Sequence, residues 1–290
     1  MDLCAARCGR AVADAVFQRT GIRYKTRTAA ITGASFGDPL YAGDMMHVVG
    51  RVVHGGGSSI GVSLQCAGGE AFVTLALVGG GGRLARAVPA VELADPADIE
   101  RHHAYEASRR APRLTAAEAL DAPSAAKPQH VRMRDTVCRA NNTFLRCHLN
   151  SQGTVFGGAL LSYMERYAVH CGRVFAQRRH VYTAGVPRVD FCAPVLPTDY
   201  VALEAKVIYV GDTTMEVDVI LRAERGAAQP HVVTNQGSFI LVCQDGQHRN
   251  VSVPRGIDVA AATPEELQQY AAACERHRRR REVARRCAAA

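Results

Sequence analysis

Met164-Glu165-Arg166-Tyr167-Ala168-Val169-His170-Cys171-Gly172-Arg173 restates the opening of the chain, Met1-Asp2-Leu3-Cys4-Ala5-Ala6-Arg7-Cys8-Gly9-Arg10, at an offset of 164 − 1 = 163. Further along, Pro194, Asp199 and Lys206 answer Pro39, Asp44 and Arg51 at 194 − 39 = 155, so one loop differs by 163 − 155 = 8 residues. Past the strands of each half, Thr263-Pro264-Glu265-Glu266 answers Asp95-Pro96-Ala97-Asp98. Each is an acid-rich helix start with proline at the first position. Self-similarity on this scale makes the chain two copies of one supersecondary unit.

Each copy reads as one helix followed by strands. From Val155 to Ala176, Leu160, Leu161, Met164, Ala168 and Cys171 recur at helical spacing. Four β-rich runs follow, Val181 to Phe191, Tyr200 to Val210, Thr214 to Ala223 and His231 to Gln244, and the alternation of Met215, Val217 and Val219 marks a strand with one buried face. Val131 to Cys138 is predicted as an opening strand. In the first copy the runs fall at Ile22 to Phe36, Asp44 to Val53, Ser59 to Gln65 and Ala71 to Val78. One helix before a meander of long strands implies an α+β unit, an antiparallel sheet wrapped around that helix. The predicted organisation is a first domain over 1–94, a helix and linker over 95–130, a second domain over 131–260 and a basic helix or tail over 261–290.

Composition narrows the classes. At 290 residues, 48% hydrophobic and 21% charged, the chain has the make-up of a globular protein of two domains. Its longest apolar runs, such as Ala71 to Val78, fall far short of the roughly 18 to 20 residues of a membrane helix. The first residues lack the succession of a secretory signal. Ten cysteines are scattered without a Cys-x-x-Cys, which fits reduced thiols and excludes a structural zinc motif. No metal is expected, the Cys147–His148 pair included. The net charge of +8 is concentrated near the end, where seven arginines lie between Arg276 and Arg286.

The segment His148-Leu149-Asn150-Ser151-Gln152-Gly153-Thr154-Val155-Phe156-Gly157-Gly158, with Glu165 further along the helix, carries the chemistry. Paired glycines at a helix N-terminus let a carbonyl approach N–H groups that no preceding turn satisfies, and the dipole there favours negative charge. That is an oxyanion site in outline. Asn150 lies upstream, able to hold a water or a carbonyl, and a helix carboxylate can serve as general base or nucleophile. The bland alternative makes the glycines a packing device and Glu165 a surface acid.

The motif resembles the opening of the tandem hotdog-fold acyl-CoA thioesterases, the acyl-CoA hydrolase family: H-x-N-x-x-G-x-x-F-G-G followed by an acid on the helix. The resemblance implies a double hotdog whose site is shared between units, the asparagine from one and the acid from the other. It assigns Asn150, Asp2 and Glu165 as catalytic residues, and Gly153, Phe156, Gly157 and Gly158 as substrate-binding. Asp2 is the repeat counterpart of Glu165, so the complete pair is Asn150 with Asp2. The first copy, beginning at Met1 within the helix, lacks its own opening strand, asparagine loop and double glycine, which makes it an N-terminally truncated hotdog unit. Either one composite site is retained, or Met1 is an internal methionine of a longer protein; the sheet edge left uncovered favours the second.

Acyl-CoA carries phosphates that call for basic residues, with Arg188, Lys206 and Arg255 as candidates. No cofactor is implied beyond the CoA thioester substrate. Two other motifs weaken on inspection. Gly33-Ala34-Ser35-Phe36-Gly37 matches a nucleophile elbow, but the repeat sets Ser35 opposite Asp190 inside a strand. Gly55-Gly56-Gly57-Ser58-Ser59 corresponds to a hairpin turn at Val210 to Thr214, with no Gly-Lys-Ser/Thr behind it.

The arginine-rich end reads first as a helix packed along the domain by its apolar side. Nucleic-acid binding lacks an aromatic platform. Membrane association would need prenylation at Cys287, within Cys287-Ala288-Ala289-Ala290. Hydrolysis of fatty acyl-CoA to free acid and CoA is the leading function. Its rival is a catalytically degenerate hotdog protein, an acyl-CoA binder or a scaffold subunit of a larger complex, a ribonucleoprotein included. A homo-oligomer is expected by analogy. The location expected is cytoplasmic, or mitochondrial if an upstream segment supplies the address.

Overall fold

The computed structural model describes residues 2–36, 43–85, 88–109, 127–150, 152–226 and 231–289. In chain order it contains α1 (Asp2–Thr20), β1 (Lys25–Phe36), β2 (Val48–Gly55), β3 (Ser59–Cys66), β4 (Gly69–Val78), α2 (Pro96–Arg109), β5 (Gln129–Val131) and β6 (Cys138–Asn142). There follow α3 (Gly157–Ala176), β7 (Val181–Phe191), β8 (Tyr200–Val210), β9 (Thr214–Glu224), β10 (Val232–Cys243), β11 (Arg255–Ile257) and α4 (Pro264–Ala289). Among the described residues no helix is long and apolar enough to cross a membrane.

Two compact units divide the chain. The first comprises Met1–Ala111, Phe144–Leu161 and Gly185–Pro197; the second comprises Pro112–Thr143, Ser162–Ala184 and Thr198–Ala290.

In the first unit the strands run antiparallel in the order β2-β3-β4-β1. β1 also pairs antiparallel with the later half of β7, from Ser35↔Gly185 to Ala30↔Asp190. Helix α1 buries Ala5, Ala13 and Val16 against this sheet. It comes close because Gly9 has no side chain: a Cβ there would stand 2.7 Å from Leu75 Cδ1 and 2.9 Å from Thr26 Cγ2. Neighbouring strand residues point to opposite faces, and Thr74, next to Leu75, meets α2 instead. Tyr105 of α2 is fully buried, bonds Thr74 Oγ1 through its hydroxyl at 2.9 Å, and seats its ring over Gly61, where a Cβ would lie 2.5 Å from the ring.

The second unit repeats the device. Its strands run antiparallel in the order β10-β9-β8-β6. Gly172 of α3 corresponds to Gly9, and a Cβ there would stand 2.5 Å from Leu241 Cδ1 and 3.3 Å from Met215 Sδ. On the other face lies α4. Its Arg276 pairs at 2.6 Å with buried Glu216, the counterpart of Gly61 at 216 − 61 = 155, and its Tyr270 and His277 flank Tyr209. Each unit is therefore the expected hotdog, a long helix on an antiparallel sheet, with a further helix on the outer face.

Local signals behave as read. Thr263 and Glu266 form a reciprocal capping box, Glu266 N–H donating to Thr263 Oγ1 at 3.3 Å and Thr263 N–H to Glu266 Oε2 at 3.1 Å. Asp95 Oδ1 accepts from Ala97 N–H at 2.9 Å at the matching helix start. Gly56 N–H donates to the Ser59 carbonyl at 2.8 Å, as Gly211 does to Thr214 at the same distance, so the glycine run is a hairpin turn. Ser35 lies within β1, paired with Gly185 and Glu70.

One element differs. The predicted strand Val131 to Cys138 is broken into β5, a 3-10 turn over Met133–Thr136, and β6. The cause is Thr136, whose hydroxyl donates to the Met133 carbonyl at 2.7 Å and accepts from Val207 N–H at 3.0 Å, replacing a ladder bond while Met133 is buried. β5 pairs in parallel with β11 instead of extending β6. β1 also starts later than Ile22, because α1 runs on to Thr20 and stops at Gly21 in the left-handed region, φ +69. The linker at 110–126 lies outside the described residues.

Candidate active site

The loop from His148 to Phe156 is a closed turn. Asn150 N–H donates to the Thr154 carbonyl at 2.8 Å, Gly153 N–H to the Asn150 carbonyl at 3.0 Å, and Phe156 N–H to the His148 carbonyl at 2.8 Å. Gly153 at its apex has φ +75, a conformation glycine adopts without a Cβ penalty. The Asn150 side chain organises the turn. Its Oδ1 accepts from Gln152 N–H at 2.8 Å and Thr154 N–H at 3.3 Å, and its Nδ2 donates to Thr154 Oγ1 at 2.9 Å. An amide carries two hydrogens on nitrogen, so the one Thr154 does not take is the one Asn150 can offer to a carbonyl or water.

The turn delivers the chain into α3. The Phe156 carbonyl accepts from Ala159 N–H at 3.0 Å and Leu160 N–H at 3.2 Å, which makes Phe156 the cap and Gly157 and Gly158 the first helical residues. Their N–H groups have no intrahelical acceptor, and both residues are half-exposed. Val155, buried just before, donates its N–H to the Val195 carbonyl at 2.9 Å and fixes the approach.

Gln152 anchors the loop to β1. Its Nε2 donates to the Thr26 carbonyl at 3.1 Å, and its Oε1 accepts from Arg27 Nε at 3.0 Å. β1 meets β7 only from Ala30 onward. Nearer its start, the carbonyl at Thr26 is taken by Gln152. All these residues belong to the first unit, so the second repeat's asparagine loop is fastened through Gln152 to the first repeat's opening strand.

Glu165 lies eight residues beyond Gly157 on α3, about 12 Å along the axis. It is half-buried, and its Oε1 accepts from Thr183 Oγ1 at 2.6 Å. The Asp2 side chain lies outside the described residues. The counterpart of Thr183 is Thr28, at 183 − 28 = 155, half-buried on β1. Gln152, Thr28 and Thr183 are not singled out by sequence reasoning. Applying the repeat offset along the strands would have paired the two threonines; nothing in one sequence would have found the docking by Gln152.

Of the proposed CoA cations, Arg188 is committed to Asp190 at 2.7 Å, which raises its guanidinium pKa. Lys206 reaches Glu266 at 3.6 Å in the second unit. Arg255 lies on β11, paired with Gln129. The side chain of Cys287 lies outside the described residues. The tail behaves as the packed helix expected, with Tyr270, Ala271, Ala273 and Cys274 buried.

The Thioesterase superfamily model matches residues 152–228, which take in the helix tip, Glu165 and strands β7 to β9. The chain is 32% identical over 137 residues, 46% of its length and 74% of the other, to the uncharacterized acyl-CoA thioester hydrolase YkhA of Bacillus subtilis (strain 168). It is 26% identical over 110 residues, 37% of its length and 70% of the other, to an uncharacterized acyl-CoA thioester hydrolase of Haemophilus influenzae. Among solved structures it resembles an apo-hexameric acyl-CoA thioesterase, at 26% identity and TM-score 0.49 over 54% of this chain and 97% of that one. A Bacillus cereus acyl-CoA hydrolase aligns at 25% identity and TM-score 0.48, covering 56% of this chain and 99% of that one. With the glycine-tipped helix in place and nearly three quarters of the Bacillus subtilis relative aligned at this identity, the chain belongs to the acyl-CoA thioester hydrolase family of the thioesterase superfamily.

Proposed function

We propose that the chain hydrolyses fatty acyl-CoA to free fatty acid and CoA, at a site made of Asn150, the Gly157–Gly158 helix tip and Asp2. One observation carries this reading: the two hydrogen bonds of Gln152 hold the asparagine loop, which leads into the helix tip, against β1, the strand that follows the Asp2 helix. The exposed tip N–H groups take the thioester oxygen, and the charge that grows on it is favoured there by the helix dipole. Asn150 offers its remaining Nδ2 hydrogen to the carbonyl or to the attacking water. A carboxylate accepts the water's proton as the C–O bond forms. The C–S bond then breaks, and the CoA thiolate leaves and takes a proton. How such a carboxylate is held is visible at Glu165, gripped by Thr183; in the sequence, Asp2 and Thr28 are the repeat counterparts of these two residues.

A second reading, an acyl-CoA binder without turnover, is favoured by the engagement of the Asn150 amide in its own turn. A thiol-release assay across acyl chain lengths separates the two. Turnover in the wild type with at least a hundredfold loss in Asn150→Ala and Asp2→Asn supports the enzyme. Absence of turnover, with Asn150→Ala binding acyl-CoA as the wild type does, sinks it.

A further inference from the structure

The start of β1 carries two cations, Lys25 and Arg27, that no acid balances among the described residues. Thr26 turns its methyl towards α1 at Gly9, so Lys25 and Arg27, both exposed, stand on the opposite face of the strand. Their ladder partners on β4 are Val78 and Ala76, which bring no charge. Among the described residues no carboxylate lies within ion-pair distance of either. Several strand cations elsewhere do have an acid partner: Arg139 has Glu204, Arg188 has Asp190 and Lys206 has Glu266.

Arg27 differs again from a free surface arginine. Its Nε is held by Gln152 Oε1 at 3.0 Å, in the loop that presents the helix tip. One fixed N–H orients the planar fork, so little freedom is lost when the outer N–H groups meet an anion. Those outer donors suit the bidentate recognition of a phosphate. Lys25, two residues away, sits roughly 6.6 Å along the strand and reaches a separate phosphate oxygen or group. Thr28, next to Arg27, points to the α1 face with Thr26.

We infer that Arg27 and Lys25 bind the phosphates of the CoA moiety, the nucleotide lying on the outer face of β1 beside Gln152. The acyl thioester then lies towards the helix tip and the inner face. This deepens the thioesterase reading and rests on it for the identity of the ligand; it replaces Arg188, Lys206 and Arg255 as phosphate contacts.

Calorimetric titration of CoA, 3′-dephospho-CoA and pantetheine tests it with wild type, Arg27→Gln, Arg27→Lys and Lys25→Gln. Arg27→Gln should weaken CoA by about tenfold or more and pantetheine by less than about twofold, and Arg27→Lys should recover part of the loss. Lys25→Gln, which touches no part of the loop, should weaken CoA by about threefold and flatten its salt dependence. An equal loss for CoA and pantetheine in Arg27→Gln would assign the residue to loop support alone and overturn the proposal, as would unchanged CoA affinity. Binding that follows this pattern without thioester turnover would overturn the enzyme reading and leave the phosphate contacts standing. Turnover in a protein whose CoA affinity ignores both substitutions would do the reverse. A wild type that neither binds CoA nor turns over removes both.

Discussion

Thr183 Oγ1 donates to Glu165 Oε1 across 2.6 Å, joining the helix and the strand of the second repeat through a hydroxyl and a carboxylate 18 residues apart. A hydrogen bond to a charged group contributes about 1.5 to 3 kcal/mol. Thr183→Val should lower the urea-unfolding free energy by that amount, and Thr183→Ser by under about 1 kcal/mol, since it keeps the donor. Equal losses in the two variants would show that the methyl packing, and not the hydroxyl, matters there.

Gln152 makes one neutral hydrogen bond to β1, to the Thr26 carbonyl, and accepts one from the exposed Arg27 guanidinium, so Gln152→Ala should cost only about 1 to 3 kcal/mol of stability. Its effect on catalysis should be larger in proportion, because displacing a helix tip by 1 Å from the reacting carbonyl is worth up to about a hundredfold. The expected result is a fall of tenfold or more in kcat/KM on acyl-CoA with a cooperative unfolding transition retained. Full activity in this variant would mean that the loop holds its position without the strand.

Gly9 and Gly172 bring their helices onto the sheets at the same step of the repeat. Alanine improves helix propensity over glycine by about 1 kcal/mol, but here its Cβ would meet Leu75 or Leu241 at 2.7 and 2.5 Å. Both leucines are buried and cannot swing away, and overpacking costs about 1 to 3 kcal/mol. Gly9→Ala and Gly172→Ala should each destabilise in denaturant titration, the reverse of what an exposed helix glycine does.

His277, packed on Tyr209 and half-buried, has its pKa pushed down to about 4, by burial first and then by Arg281 and Arg280. Above pH 6.5 the ring is neutral folded and unfolded, and makes no pH-dependent contribution. As the pH falls from 6.5 towards 4 the unfolded chain takes the proton first, so stability drops through that window. Glu216 and Asp218, whose burial raises their pKa values, act in the opposite sense but are common to wild type and variant. The difference between the wild type and His277→Phe should therefore grow as the pH is lowered from 6.5 to 4; parallel stability profiles would contradict it.

Much of this architecture was legible because the repeat checks itself. The runs at Val181 to Phe191 and Tyr200 to Val210 coincide with β7 and β8, and the caps at Asp95 and Thr263 were readable from residue type alone. The break at Thr136 was not, since it depends on a hydroxyl meeting Val207, 71 residues away. The site divides in the same manner. Asn150 and the two glycines form a contiguous motif, whereas the part of Gln152 is decided by a strand 126 residues earlier. Asn150 was legible as a residue able to hold a water or a carbonyl, but a sequence does not show that Thr154 and Gln152 already claim most of its amide.

The two halves of this duplicated chain share one sheet design, and position 61 against position 216 tells them apart. The aromatic ring of Tyr105 needs the hollow that only glycine leaves, and would collide with the acid at the matching place in the other half. Arg276, transferred the other way, would find no counter-charge over Gly61. Each outer helix is thereby keyed to its own half, so that two sheets of the same design, joined in one polypeptide, do not compete for the same cover.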